Sequence, residues 1–286
     1  MPSLTEDQLS QLKTALKRCD DTTIQAAIAF REHNDFSQVP TIVTGIIARF
    51  MPPENVEKIR SANDSTRLAE DLGIDSLTML EIVMTIEEVL SMRIEDSELR
   101  DIRTLGDVKN FIQHKIATLS PSASQAHPDA LPATLNYDRE KLHLILPQQH
   151  PFLFLSKATI QNNRVYASYT FTGQEEFFQG HFRGDPTVPA VIVFEAAGQA
   201  ACLYLIEVIV PKEKAQTGAI PLFVSLENAH FHRKARPGDT IHIEVIPVRE
   251  RLPLAVFNAT VTLAGETLAT VERLTLAYGN IPHTPS

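Results

Sequence analysis

The spacing of apolar side chains changes once along this chain, and the change splits it in two. Up to about Ile112 they recur three or four apart: Leu9, Leu12, Leu16 and Cys19; Ile24, Ala27, Ile28 and Phe30; Ile42, Val43, Ile46, Ile47 and Phe50; Leu77, Leu80, Val83, Val89 and Leu90; Val108, Phe111 and Ile112. That period places one apolar stripe on each of several helices. It predicts helices after Thr5, over Thr22 to about Arg31, over Pro40–Phe50, over Leu77–Leu90 and from Thr104. Thr5 and Gln8 are spaced as a capping box, and Pro52-Pro53 closes the third helix. Residues 117–134, ATLSPSASQAHPDALPAT, hold almost no large apolar side chain and read as a linker, stiffened where proline intervenes. Beyond them β-branched and aromatic residues alternate two apart, in Val165–Phe171, Ile241–Ile246 and Ala255–Leu263. Between these lies one helix-like apolar run, Ala190 to Ile209. An all-helical domain followed by a sheet with a single long buried helix is the expectation, α+β over the whole chain.

Charge is as unevenly divided as period. Of the formal net charge of -9, most falls before the linker, and residues 64–101 alone carry 11 acidic against 3 basic side chains. Nucleic acid is excluded as a partner of that segment, since such binding neutralises phosphates with Lys and Arg. The acidity suits a partner with a basic patch, or else a helix face that is merely solvated. Ala190–Phe194 and Ala200–Ile206 are interrupted by Glu195 and Glu207, so no run is expected to reach the ~20 residues of a membrane span. MPSLTEDQLSQLK lacks the basic start and apolar stretch of a signal peptide, and a cytoplasmic location is expected. Cys19 and Cys202 stand far apart with no Cys/His spacing for a metal site, so they read as structural thiols and no metal is expected.

In Leu68-Ala-Glu-Asp-Leu-Gly-Ile-Asp-Ser-Leu77 a serine falls at the first turn of the helix ending at Leu90. A helix N-terminus favours negative charge, so Ser76 is placed to carry a phosphodiester; Asp75 and Ser76 read equally as ordinary capping residues. The longer stretch LAEDLGIDSLTMLEIVMTIEEVL resembles the acyl carrier protein family, through D-L-G-x-D-S-L and the acidic helix after it. The resemblance runs from Val39 to Leu119. It implies a four-helix bundle, 4′-phosphopantetheine on Ser76 delivered by a phosphopantetheinyl transferase, and Glu81, Glu87 and Glu88 on a helix that meets basic patches of partner enzymes. Residues 1–38 fall outside it, as a helical extension that either packs on the bundle or reaches for partners.

The segment F-F-Q-G-H-F-R-G-D-P-T-V-P-A-V-I-V-F-E-A-A-G-Q holds His181 between Phe178 and Phe182, and Glu195 inside an apolar helix. Burial favours a neutral imidazole and a protonated carboxyl. Singly, each reads as a hydrogen-bonded loop histidine or a glutamate at a dimer contact; together they fit a general base and general acid. From Leu146-Pro-Gln-Gln-His-Pro-Phe through G-H-F-x-x-x-P-x-x-P and E-A-x-x-Q to A-H-F-H-R-K-A-R-P-G-D, the chain resembles the 3-hydroxyacyl-carrier dehydratases of the hot-dog fold, FabZ type, over Asn136 to Tyr278. The resemblance implies an antiparallel sheet wrapped around a central helix, catalytic His181 and Glu195, and substrate contacts at Phe182, Pro189, Ala190 and Gln199. A glutamate as the acid points to dehydration without isomerisation. The backbone N–H at the helix start would hold the thioester oxygen, and Ala190 stands where the family has glycine, which is in question if that glycine used positive φ. The family pairs two subunits edge to edge, so a homodimer is expected, with Arg233, Lys234 and Arg236 as a basic entrance for the carrier.

The expected organisation is a helical extension at 1–38, an acyl carrier domain at 39–119, a linker at 120–135 and a hot-dog dehydratase domain at 136–282. The expected activity is water loss from a (3R)-3-hydroxyacyl thioester in fatty-acid or polyketide-like biosynthesis, alongside other enzymes of such synthesis. An inactive hot-dog dimer that scaffolds the carrier, and a hot-dog thioesterase, are the alternatives.

Overall fold

The structure is a computed structural model and describes residues 4–52, 55–99, 101–118, 134–210 and 220–279. These fall into a helical unit and a sheet unit. The expected linker at 120–135 lies almost wholly outside the described residues.

The helical unit contains α1 (Glu6–Ala15), α2 (Asp21–His33), α3 (Val39–Phe50), α4 (Val56–Arg60), α5 (Ser76–Leu90) and α6 (Leu105–Thr118). Thr5 and Gln8 form both hydrogen bonds of the capping box. Asp20 caps α2, accepting from Thr23 N at 2.9 Å, and left-handed Asn34 ends that helix. Residues before Val39 are part of the bundle: Leu12, Leu16, Ala27 and Phe30 share one buried core with Ile42, Ile46, Val83, Ile86 and Val89. The contact between α2 and α3 is close enough that a Cβ at Gly45 would fall 1.9 Å from Thr23 Oγ1. Two arginines fasten the hairpin, each donating to carbonyls at a helix C-terminus, where cations are favoured. Buried Arg49 of α3 donates to Ala15 O at the end of α1, and Arg31 of α2 donates to Val89 O at 3.2 Å at the end of α5. The extension is thus a packed element of the carrier, the first of the two readings open from sequence.

The sheet unit has seven antiparallel strands: β1 (Leu135–Asp138), β2 (Lys157–Gln161), β3 (Arg164–Thr170), β4 (Leu222–Phe231), β5 (Thr240–Arg251), β6 (Leu254–Leu263) and β7 (Glu266–Ala277). Their order is β1-β2-β3-β5-β6-β7-β4, leaving β1 and β4 on the edges. A short helix α7 (Arg139–Ile145) follows β1, and α8 (Ala190–Tyr204) packs against β3, β5, β6 and β7. Ala196, Ala197, Gly198, Ala200 and Ala201 are buried along α8, and their small side chains let the sheet close over the helix. With the π-helical turn Leu205–Ile209, the helix continues for 20 residues and is long and apolar enough to cross a membrane, against the expectation from its two glutamates. It is instead the core helix of the sheet, buried on all sides from Ala196 to Leu205.

Candidate active site and carrier serine

His181 sits on a loop built over packed aromatic rings. Phe177 lies 6.4 Å from both Phe154 and Phe171 and 4.5 Å from Phe178. His181 N–H donates to Phe177 O at 2.9 Å, and Thr187 N–H donates to His181 O at 2.8 Å, so the backbone is held on both sides. The ring stacks on Phe182 at 4.0 Å. Its Nδ1 is 3.0 Å from Thr187 O. A carbonyl only accepts, so Nδ1 carries the hydrogen and the neutral ring presents an unprotonated Nε2, the tautomer of a general base.

The loop is clamped to the segment after β4. Asp185 pairs with Lys234 at 3.3 Å and with Arg236, and these cations, Arg236 foremost, hold its carboxyl below the usual range. Arg233 pairs with Glu266. The three cations expected as a basic entrance thus share two carboxylates, Asp185 and Glu266.

Glu195 lies one turn into α8 and is half-buried; desolvation raises its pKa, which the hydrogen bond from Gln199 only partly offsets. Gln199 Nε2 donates to Glu195 Oε1 at 2.9 Å and to Phe152 O at 2.8 Å, while its Oε1 accepts from Phe154 N–H at 2.8 Å. Gln199 is fully buried and its amide is consumed by these bonds. Gln199, expected at the substrate, fixes Glu195 and the Phe152–Phe154 loop within one chain. Cys202, on the same side of α8, is pushed up to about 12 by burial and by the Glu195 charge, which makes it an inert thiol.

Pro189 precedes α8 at φ -60, and Ala190 opens the helix without positive φ. The methyl therefore costs no backbone strain, and among the described residues the Ala190 N–H is unbonded. Phe182 is 56% exposed beside His181. Among the described residues, His181 and Glu195 share no hydrogen bond or ion pair within one chain; they belong to separate networks.

In the helical unit Asp75, not Ser76, is the cap of α5: its Oδ1 accepts from Thr78 N–H at 2.7 Å. Ser76 is the first helical residue, exposed, and its hydroxyl has no partner among the described residues. The loop before it is pinned by Leu68 N–H to Arg103 O and Ile74 N–H to Leu68 O, both at 3.0 Å. A free hydroxyl on a fixed, exposed helix start fits a covalent phosphodiester. Glu87, expected on the docking face, is 3% exposed and accepts from Ile94 N–H at 2.7 Å, closing the turn after α5. Glu81 and Glu88 remain half-buried on that helix.

A sheet wrapped around one buried helix, with a histidine loop before that helix and a carboxyl inside it, defines a hot-dog domain. A family described as "FabA-like domain" matches residues 146–272, and one described as "Phosphopantetheine attachment site" matches residues 44–112. The 3-hydroxyacyl-[acyl-carrier-protein] dehydratase FabZ of Bacillus subtilis is 31% identical over 144 residues, covering 50% of this chain and 98% of that protein. The same-named protein of Erythrobacter litoralis is 33% identical over 139 residues, 48% of this chain and 90% of its own. A solved structure, the dehydratase heterocomplex ApeI:P from Xenorhabdus doucetiae, aligns with 49% of this chain and 91% of its own at 16% identity and a TM-score of 0.42. The chain belongs to the FabZ 3-hydroxyacyl-[acyl-carrier-protein] dehydratase family, with a phosphopantetheine-binding carrier domain ahead of the dehydratase domain.

Proposed function

We propose that the chain removes water from a (3R)-3-hydroxyacyl thioester held on Ser76 and yields the trans-2-enoyl thioester. The observation that carries this is a histidine whose Nδ1 is held by the Thr187 carbonyl, which turns Nε2 outward, together with a half-buried carboxyl at Glu195 whose pKa desolvation raises. His181 Nε2 takes the C2 proton, and the charge passing to the thioester oxygen is received by the unbonded Ala190 N–H at the positive end of α8. As the C3–O bond breaks, Glu195 gives its proton to the departing hydroxyl; water leaves and the C2–C3 double bond forms. A proton relayed from His181 to Glu195 restores both. Phe182 and Pro189 flank the thioester. The 4′-phosphopantetheine on Ser76 supplies the thiol that carries the acyl chain, and the exposed hydroxyl suits a transferase that attaches it.

The site is completed by a second copy. His181 and Glu195 lie in separate networks of one chain, and the edge strand β4 offers a surface for pairing. Its residues show no buried face: Leu222, Phe223 and Leu226 are 48, 40 and 40% exposed, and Ile220 just before it 53%. Exposed apolar side chains on an edge strand suit a partner strand. The reading includes a homodimer through β4, a place in fatty-acid or polyketide-like synthesis with its other enzymes, and a cytoplasmic location, which suits two cysteines that form no disulfide. The test is intact-protein mass spectrometry after loading a 3-hydroxyacyl pantetheine on Ser76. Loss of one water from wild type but not from His181→Ala or Glu195→Gln supports the reaction; release of the free acid selects a thioesterase, and an unchanged loaded mass an inactive scaffold.

A further inference from the structure

We propose that Phe223 ends the acyl-chain groove and sets the length of chain the site accepts, an assignment that rests on the reaction proposed above. From Ala196 to Leu205, α8 is buried on every side, but its first turns are open: Val191 is 70% exposed, and Phe194 and Glu195 are half-buried. Val191, Phe194 and Glu195 are three and four apart, so they form one stripe running along the helix from its free N–H end. The next position on that stripe is Gly198. There the Phe223 ring crosses the helix, and a Cβ at Gly198 would fall 1.9 Å from its Cζ and 2.3 Å from its Cε2. Glycine is a poor helix former, and here its missing side chain is what admits the ring.

The backbone of β4 aims that ring. Its register against β7 shifts between Phe223 and Ser225, and such an extra residue redirects side chains that strict alternation would send elsewhere. A substrate with its thioester oxygen at the Ala190 N–H and its C3 hydroxyl at Glu195 points its tail toward Gly198. The tail then meets Phe223.

The experiment compares kcat/KM for four-, eight- and twelve-carbon (3R)-3-hydroxyacyl pantetheine thioesters in wild type, Phe223→Ala, Phe223→Leu, Gly198→Ala and the Gly198→Ala/Phe223→Ala double variant. Removing the ring should raise the twelve-to-four ratio by about tenfold or more, since a pocket discriminates chain length by at least that factor; leucine should raise it less. Gly198→Ala should lower the ratio by driving the ring outward, and that effect should vanish when the ring is absent. An unchanged ratio in Phe223→Ala that still turns over, or a Gly198→Ala effect that survives ring removal, overturns the assignment. Should Phe223→Ala lose its cooperative melt, Phe223→Leu and Gly198→Ala carry the same comparison. Absence of turnover in wild type on every thioester instead defeats the dehydratase reading, with no bearing on the ring.

Discussion

Gln199 holds the Glu195 carboxyl that is proposed as the acid. The buried amide of Gln199 satisfies Phe154 N–H and Phe152 O as well as the carboxyl. Gln199→Leu should therefore cost on the order of 1–3 kcal/mol for each buried group it strands, read in the urea unfolding of the sheet unit, and should slow dehydration as well. The carboxyl itself predicts a pH dependence. Its folded pKa is raised, so its contribution to stability is complete below the ordinary value of 4.5 and is lost as pH rises through the folded value. Glu195→Gln, neutral throughout, escapes that loss. Its melting temperature relative to wild type should climb above pH 4.5 and then level off; a constant difference between about pH 4 and pH 8 would mean that the carboxyl is not desolvated. Turnover by wild type should fall on the alkaline side as Glu195 gives up its proton. Ser76, His181 and Glu195 stand out in the sequence only through the longer motifs around them, D-L-G-x-D-S-L, G-H-F-x-x-x-P-x-x-P and E-A-x-x-Q, since singly each reads as structural. The role of Gln199 was not legible there, because its partners Phe152 and Phe154 lie some 45 residues away in sequence. Glu87 misled for the opposite reason: an acidic residue in an acidic helix gives no sign that a loop N–H, Ile94's, has claimed it.

In the proposed homodimer, strand β4 is the element on which assembly turns. Replacing Leu226 with Lys puts a charge on its exposed apolar edge; sedimentation should then report a monomer, and dehydration should be lost while Ser76 still accepts its prosthetic group. A Leu226→Lys protein that remains dimeric and active would move the interface elsewhere. The elements readable from period were those that bury one side. Helices α1, α2, α3, α5 and α6 and strands β3, β5 and β6 emerged where the spacing of apolar residues put them. Five-residue α4 and seven-residue α7 are too short to display a period. Strand β4 escaped notice because its two faces are nearly alike in exposure and its register slips, so alternation never develops.

For the whole molecule, the proposed sharing of one site between two copies predicts that two dead proteins can make a live one. Mixing His181→Ala with Glu195→Gln under conditions that exchange subunits should restore about a quarter of wild-type turnover, since half the dimers are hybrids and each hybrid holds one intact site. No recovery, with exchange confirmed by mass, would place both residues in the same chain's site. Two domains and their order were visible from the change of period, whereas the fate of residues 1–38 required the close fit of Thr23 on Gly45. That fit also governs how the molecule can be taken apart. A segment cut at residues 44–112 would begin inside α3 and strip the cover from Ile46 and Ile47, which lie 0 and 1% exposed in the full chain. Anyone wishing to graft this carrier onto a different enzyme would have to transplant it from before Thr5, because the hairpin travels as part of the cargo.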